Sequence, residues 1–224
     1  MVIAGFIDHT LLKPDARLAE IENLCHEAMN YQFAAVCVPP YYVKDASLIL
    51  KNQNVKLATV IGFPFGYSHY KAKLAEAREA LEEGAQELDI VMNMAAFKNN
   101  DLAYMENEIQ ELCLLKQYHN FKIKVIIESG VLNDEEIIKC CEIYKHFPVD
   151  FIKTSTGYAA KGATVEAVQL IRQNIPSTIK IKASGGIKTF DFACDLIKAG
   201  ADRLGCSAGV AIVKGSSEDI QTSY

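Results

Sequence analysis

The sequence predicts a single-domain α/β protein of the (β/α)8 TIM-barrel class. Short β-rich apolar runs alternate with amphipathic segments along the whole chain, and eight such runs can be marked. Runs such as LATVIG at 57–62 and KVIIES at 124–129 are too apolar for a sheet with one wet face, which favours strands buried on both sides. The order βαβα with eight strands in one domain then points to a closed barrel. A doubly wound open sheet is the competing architecture; no GxGxxG follows the first strand, although a flavodoxin-like sheet would not need one.

The strands fall at about residues 6–10, 34–38, 56–62, 87–93, 122–129, 150–155, 179–183 and 202–206. Between them, Leu18, Ile21, Leu24, Cys25 and Ala28 repeat at the helical period. So do Leu102, Met105, Ile109 and Leu112 after a capping Asp101, and Val165, Val168 and Ile171 after Thr164. Asn133 with Glu136 three residues later reads as a capping box for a helix over 134–147, and Thr189 caps a helix that Gly200 ends. The barrel domain is placed at 1–214. The polar segment 215–224 is read as a flexible tail.

Composition narrows the function. The 224 residues are half hydrophobic and carry 23 Lys plus Arg against 28 acids, a net charge of −5, with no basic stripe interleaved with aromatics. Nucleic acid is therefore not an expected partner. The N-terminal residues 1–15 have no basic n-region, and Asp8, His9 and Lys13 break their apolar runs. Neither a signal peptide nor a membrane span is expected, and the location is expected to be cytoplasmic. The seven cysteines form no CxxC pair and the five histidines no HxH or HExxH spacing, so reduced thiols and no metal site are expected. No cofactor is expected either.

A barrel places its chemistry at the C-terminal ends of its strands, and phosphate on the turns after strands seven and eight. Strand ends here carry Asp8, Cys37, Asp89, Glu128, Lys153 and Lys182, and the last two turns read ASGGI and GCSAG. The segment DFIKTSTG at 150–157 holds Lys153 in an apolar run, either as an edge-strand surface lysine or as a buried amine tuned by its surroundings. IKIKASGGI at 179–187 repeats the pattern; Lys180 and Lys182 alternate with isoleucines on one face, with Lys182 nearer the turn. Two ammonium groups held together repel, so one loses its proton more readily and becomes a nucleophile near neutral pH. A neutral lysine forms a Schiff base that can serve as an electron sink for an adjacent C–C bond, and Asp89 can shuttle the proton, directly or through a water. Gly157, Gly185, Gly186, Gly205 and Ser207 lie on turns that can bring backbone amides to an anion. Asp8, Glu128 and Thr156 are candidate supports, and Cys37 is read as a buried, inert thiol.

These residues resemble the deoxyribose-phosphate aldolase family of the class I, Schiff-base type. The resemblance runs through IDHTLLKP at 7–14, VCVPP at 36–40, TVIGFPFG at 59–66, ELDIVMN at 87–93, KVIIES at 124–129, FIKTSTG at 151–157, GAT at 162–164, KASGGIK at 182–188 and RLGCSAG at 203–209. It implies reversible cleavage of 2-deoxy-D-ribose 5-phosphate to D-glyceraldehyde 3-phosphate and acetaldehyde, in deoxyribonucleotide catabolism. Lys153 would be the Schiff-base lysine, Lys182 its perturbing neighbour and Asp89 the acid/base. Three positions depart from the family pattern. Met94 and Ala95 follow Asn93 in place of an Asn-x-Gly turn, Tyr158 stands where some members carry Lys, with Lys161 as its substitute, and Ala208 replaces a second Ser.

Two other readings stay open at this level. One is another Schiff-base phosphosugar aldolase; the other is a phosphosugar-binding barrel without catalysis. Tyr224 either belongs to a disordered tail or folds over the mouth as a proton relay. A homodimer fits such barrels.

Overall fold

The computed structural model describes residues 3–218. Eight parallel strands close into one barrel in sequence order. They are β1 (Ile7–Thr10), β2 (Ala35–Val38), β3 (Lys56–Ile61), β4 (Glu87–Val91), β5 (Lys122–Ile126), β6 (Phe151–Lys153), β7 (Lys180–Ser184) and β8 (Arg203–Cys206). The helices around them are α1 (Leu18–Asn30), α2 (Val43–Ile49), α3 (Tyr70–Glu82), α4 (Met94–Lys98), α5 (Leu102–Leu114), α6 (Asp134–Tyr144), α7 (Val165–Asn174), α8 (Phe190–Lys198) and α9 (Gly209–Glu218). The last continues past residue 214, where the sequence ends the barrel domain. Residues 219–224 of the expected tail, Tyr224 among them, lie outside the described residues.

The capping residues act as their chemistry dictates. Asp101, Asn133, Thr164 and Thr189 each accept a backbone N–H from the first turn of α5, α6, α7 and α8. Gly200, at φ 117°, ends α8 in a conformation that side chains with a Cβ resist. Of the helices that the periodicity did not mark, α3 is the longest. In α3 a buried turn position is filled by Lys73, whose Nζ reaches Glu108 of α5 at 2.7 Å and the Val91 carbonyl at 2.8 Å. A lysine in the buried stripe hides the apolar pattern that would otherwise announce the helix.

Two apolar layers result. Outward strand residues such as Val36, Ile61, Leu88, Val125, Ile152, Ile181 and Leu204 pack against the helices in the main core. Inside the barrel, Cys37, Ala58 and Val60 form a small separate apolar cluster on the β2–β3 side. The rest of the interior is charged. Register explains this: Asp89 pairs with Lys124, Lys153 with Lys182, and Lys182 with Arg203. Paired residues on parallel neighbours point to the same face, so one layer of the barrel collects them all.

Candidate active site

Seven ionisable side chains meet inside the barrel: Asp8 from β1, Glu87 and Asp89 from β4, Lys124 from β5, Lys153 from β6, Lys182 from β7 and Arg203 from β8. Asp89 is the hub. Its Oδ1 lies 2.7 Å from Lys124 Nζ, and its Oδ2 lies 2.7 Å from both Lys153 Nζ and Lys182 Nζ. Asp8 holds Lys182 at 2.6 Å and Arg203 at 2.5 Å. Glu87 holds Lys124 at 2.6 Å and Arg203 at 3.1 Å.

Fully charged, this cluster has four cations and three carboxylates, a net of 4 − 3 = +1. In a low-dielectric interior an unbalanced charge is costly, so one proton is held weakly. The contacts say which one. Lys182 and Arg203 each touch two carboxylates and Lys124 touches three, whereas Asp89 alone pairs with Lys153 in this cluster.

The proton affinities follow. Burial disfavours the Lys153 ammonium, and although Asp89 pulls the other way, the adjacent Lys182 charge helps bring Lys153 below the ordinary lysine value. Burial also acts against Lys182, but Asp8 and Asp89 outweigh it and raise Lys182 above that value. Lys124 is raised in the same way by Asp89 and Glu87. Asp89 would be pushed up by burial; Lys124, Lys153 and Lys182 instead hold it well below the carboxylate range. Asp8, against the same burial, is brought to about 2 by Lys182, Arg203 and Lys124. Cys37 is pushed up to about 11 by burial first and Asp89 second, so its thiol stays protonated at neutral pH.

The charged layer lies deeper than strand ends. Asp8, Asp89 and Lys182 occupy strand interiors and are fully buried, while Lys153 closes β6 and opens on a cavity of about 340 Å³. Lys180, sharing a strand face with Lys182, is exposed at the start of β7. The cavity above Lys153 is lined by Thr156, Gly157, Gly185, Gly186, Gly205 and Ser207, so the expected anion turns converge on it. Lys13 and Lys188 line it too, which supplies the positive charge sought in Lys161. Lys161 is exposed and does not line the cavity.

Two glycines have specific jobs. Gly185 takes φ 88° with the Gly162 Cα 3.0 Å from where its Cβ would lie, so the β6 and β7 turns can touch backbone to backbone. A Cβ on Gly205 would sit 2.9 Å from Lys182 Cε, so the glycine leaves the path of the lysine stem open. The turns are also laced by hydroxyls: Ser184 Oγ donates to the Ser155 carbonyl at 2.5 Å, and the Ser184 amide donates to Thr154 Oγ1 at 3.0 Å. Glu128, in a left-handed conformation at φ 52°, accepts the Thr156 hydroxyl and its amide, the latter at 3.3 Å. Glu128 and Thr156 thus support the β6 turn, and Asp8 is drawn into the charged cluster itself.

Glu87, Lys124 and Arg203 are the members that sequence reasoning did not single out. Lys122 and Lys124 alternate in KIKVI as Lys180 and Lys182 do in KIKAS, and that repetition was the available signal. Among the described residues, no group of three or more His, Cys, Asp and Glu side chains is arranged to hold a metal ion. Likewise no helix there is long and apolar enough to cross a membrane.

Comparison with known proteins fits this arrangement. The DeoC/LacD family aldolase profile matches residues 2–215. The deoxyribose-phosphate aldolase of Caldicellulosiruptor saccharolyticus is 48% identical over 97% of this chain and 98% of its own. Among solved structures, the aldolase QR15 superposes with a TM-score of 0.91 at 41% identity, covering 99% of each chain. The deoxyribose phosphate aldolase of Aeropyrum pernix, described as a unique tetramer, gives 0.90 at 32% identity over 96% of this chain and 91% of its own. With its closed barrel, its buried lysine cluster and these relatives, the chain belongs to the DeoC/LacD family of aldolases.

Proposed function

We propose that this aldolase reversibly cleaves 2-deoxy-D-ribose 5-phosphate to D-glyceraldehyde 3-phosphate and acetaldehyde through a Schiff base on Lys153. The observation that carries the mechanism is the single excess positive charge around Asp89, with Lys153 its least-held cation. The relatives' names carry the substrate.

The neutral Lys153 amine adds to C1 of the open-chain sugar and water leaves, giving a protonated imine beside Asp89. A base takes the C3 hydroxyl proton, the C3 carbonyl forms, and the C2–C3 electron pair moves into the imine to give an enamine. Protonation at C2 and addition of water then release acetaldehyde and restore the amine. Lys182, held protonated, keeps Lys153 poised and hands on the proton; Asp89, held ionised, receives it directly or through a water. Gly157, Gly185, Gly186, Gly205 and Ser207, with Lys13 and Lys188, line the phosphate end.

The expected setting is deoxyribonucleotide catabolism in the cytoplasm. The chain is expected to self-associate, as a homodimer or a higher assembly such as the tetramer described for the Aeropyrum pernix relative. The test is product analysis. Purified protein with deoxyribose 5-phosphate should release equimolar acetaldehyde and glyceraldehyde 3-phosphate; a different aldehyde or ketone product would contradict the substrate assignment, and no cleavage at all would support a binding-only barrel.

A further inference from the structure

A second cavity opens beside the one above Lys153. It measures about 260 Å³ and is walled mainly by apolar side chains, among them Pro64, Phe65, Val91, Met94 and Val131. The two cavities have just Thr156 and Tyr158 in common. Tyr158 therefore stands between a polar, glycine- and lysine-lined chamber and an apolar one.

Three contacts fix Tyr158 in that position. Its hydroxyl donates to the Leu12 carbonyl of the β1 loop at 3.0 Å. Its amide donates to Thr156 Oγ1 at 3.0 Å, and Thr156 is itself held by Glu128. Its ring meets Phe63 of the β3 loop edge to face, with centroids 5.3 Å apart. Tyr158 is nevertheless 52% exposed as a residue, so the wall is one side chain thick.

We propose that Tyr158 is a specificity-determining residue that walls off an apolar subsite suited to the aromatic or aliphatic substituent of an aldehyde acceptor. Size permits it, since an apolar cavity of about 150 Å³ already takes a benzene. With the tyrosine in place, the acceptor is confined to the polar chamber, where a phosphorylated aldehyde fits. Without it, the two chambers merge and an apolar chain gains surface to bury. The inference rests on the aldolase reading above.

The experiment compares two acceptors for acetaldehyde addition, propanal and 3-phenylpropanal, by their kcat/KM ratio. Tyr158→Ala should raise the ratio for 3-phenylpropanal over propanal about tenfold or more. Tyr158→Phe keeps the ring and should leave the ratio near that of the native protein. Adding Val131→Phe to Tyr158→Ala should refill the pocket and reverse the gain. An unchanged ratio in Tyr158→Ala, with propanal still consumed, overturns the partition while leaving the aldolase reading intact. Should that variant not fold, Val131→Trp in the otherwise native chain decides. Val131 is half-exposed, and because the pocket is walled off, the ratio should not change; a fall would show that native Tyr158 does not exclude the acceptor. If the native protein consumes neither aldehyde nor deoxyribose 5-phosphate, the aldolase reading fails first and the inference falls with it.

Discussion

Lys153 Nζ and Lys182 Nζ share one carboxylate oxygen, Asp89 Oδ2, each at 2.7 Å. Their difference lies in what else they touch: Lys182 has Asp8 at 2.6 Å as a second acid, and Lys153 has no second carboxylate in the cluster. Two chemically identical side chains are thereby driven to opposite protonation preferences. The barrel register, not either strand alone, creates the asymmetry.

Removing the support of that asymmetry should separate the lysines' roles. Lys153→Ala should abolish cleavage, whereas Lys182→Met should lower kcat by roughly 10²- to 10⁴-fold, the range of a lost proton-transfer group. Steady-state kinetics on both variants check this. A Lys182→Met enzyme of native rate would remove the need for the second lysine.

Lys124 does not line the cavity above Lys153 yet should tune the chemistry. In Lys124→Met, Asp89 loses one of three cations and the cluster falls from +1 to 0 with Lys153 protonated. Lys153 should then hold its proton more tightly, and the acid limb of kcat/KM should move to higher pH. A pH–rate profile unmoved by the substitution would contradict the electrostatic account.

The same cluster sets an acid limit. Asp8 is depressed to about 2 in the fold, and Asp89 is also held well below its ordinary value. A carboxylate depressed in the folded state contributes stability that is fully present above its unfolded value of about 4 and lost as pH falls through its folded value. Melting temperature should therefore decline from near pH 4 down to pH 2, and Asp8→Asn should flatten part of that slope.

Gly205 offers a steric test. A Cβ there would come within 2.9 Å of Lys182 Cε and of Ser184 Cβ. Gly205→Ala should displace Lys182 from its two acids and lower kcat by about tenfold or more, since one reacting-group misplacement of about 1 Å can cost 10²-fold. Thermal denaturation alongside kinetics distinguishes displacement from unfolding.

Behind the barrel, Lys73 and Glu108 form a buried pair whose lysine also ties down the carbonyl that ends β4. Lys73→Met alone should cost about 3 to 5 kcal/mol, because it strands a buried acid, and Glu108→Leu added to it should restore most of the loss. Chemical denaturation of both variants measures this.

How much of this was legible in the sequence depends on the range of the interaction. Strands and helix caps are local, so Asp101, Asn133, Thr164 and Thr189 announced their helices. Alternation along a strand brought out Asp89 and Lys182 without the fold. What stayed hidden depends on closure: Arg203 reaches Asp8 from the far end of the chain, and Lys124 meets Asp89 only because β4 and β5 pair in that register. For the same reason the clustered charges were expected at strand ends, whereas most are buried within the strands. Lys73 shows the converse. Its burial erased the apolar period of α3, since the acid that makes it tolerable sits on another helix.

The central claim is that Lys153 is the neutral, nucleophilic amine of the cluster. Borohydride reduction in the presence of acetaldehyde, followed by peptide mass analysis, tests it most directly. An ethyl adduct on Lys153 is the predicted result. An adduct on Lys182 would invert the two roles, and reduction that leaves both lysines unmodified would contradict a Schiff-base mechanism at this site.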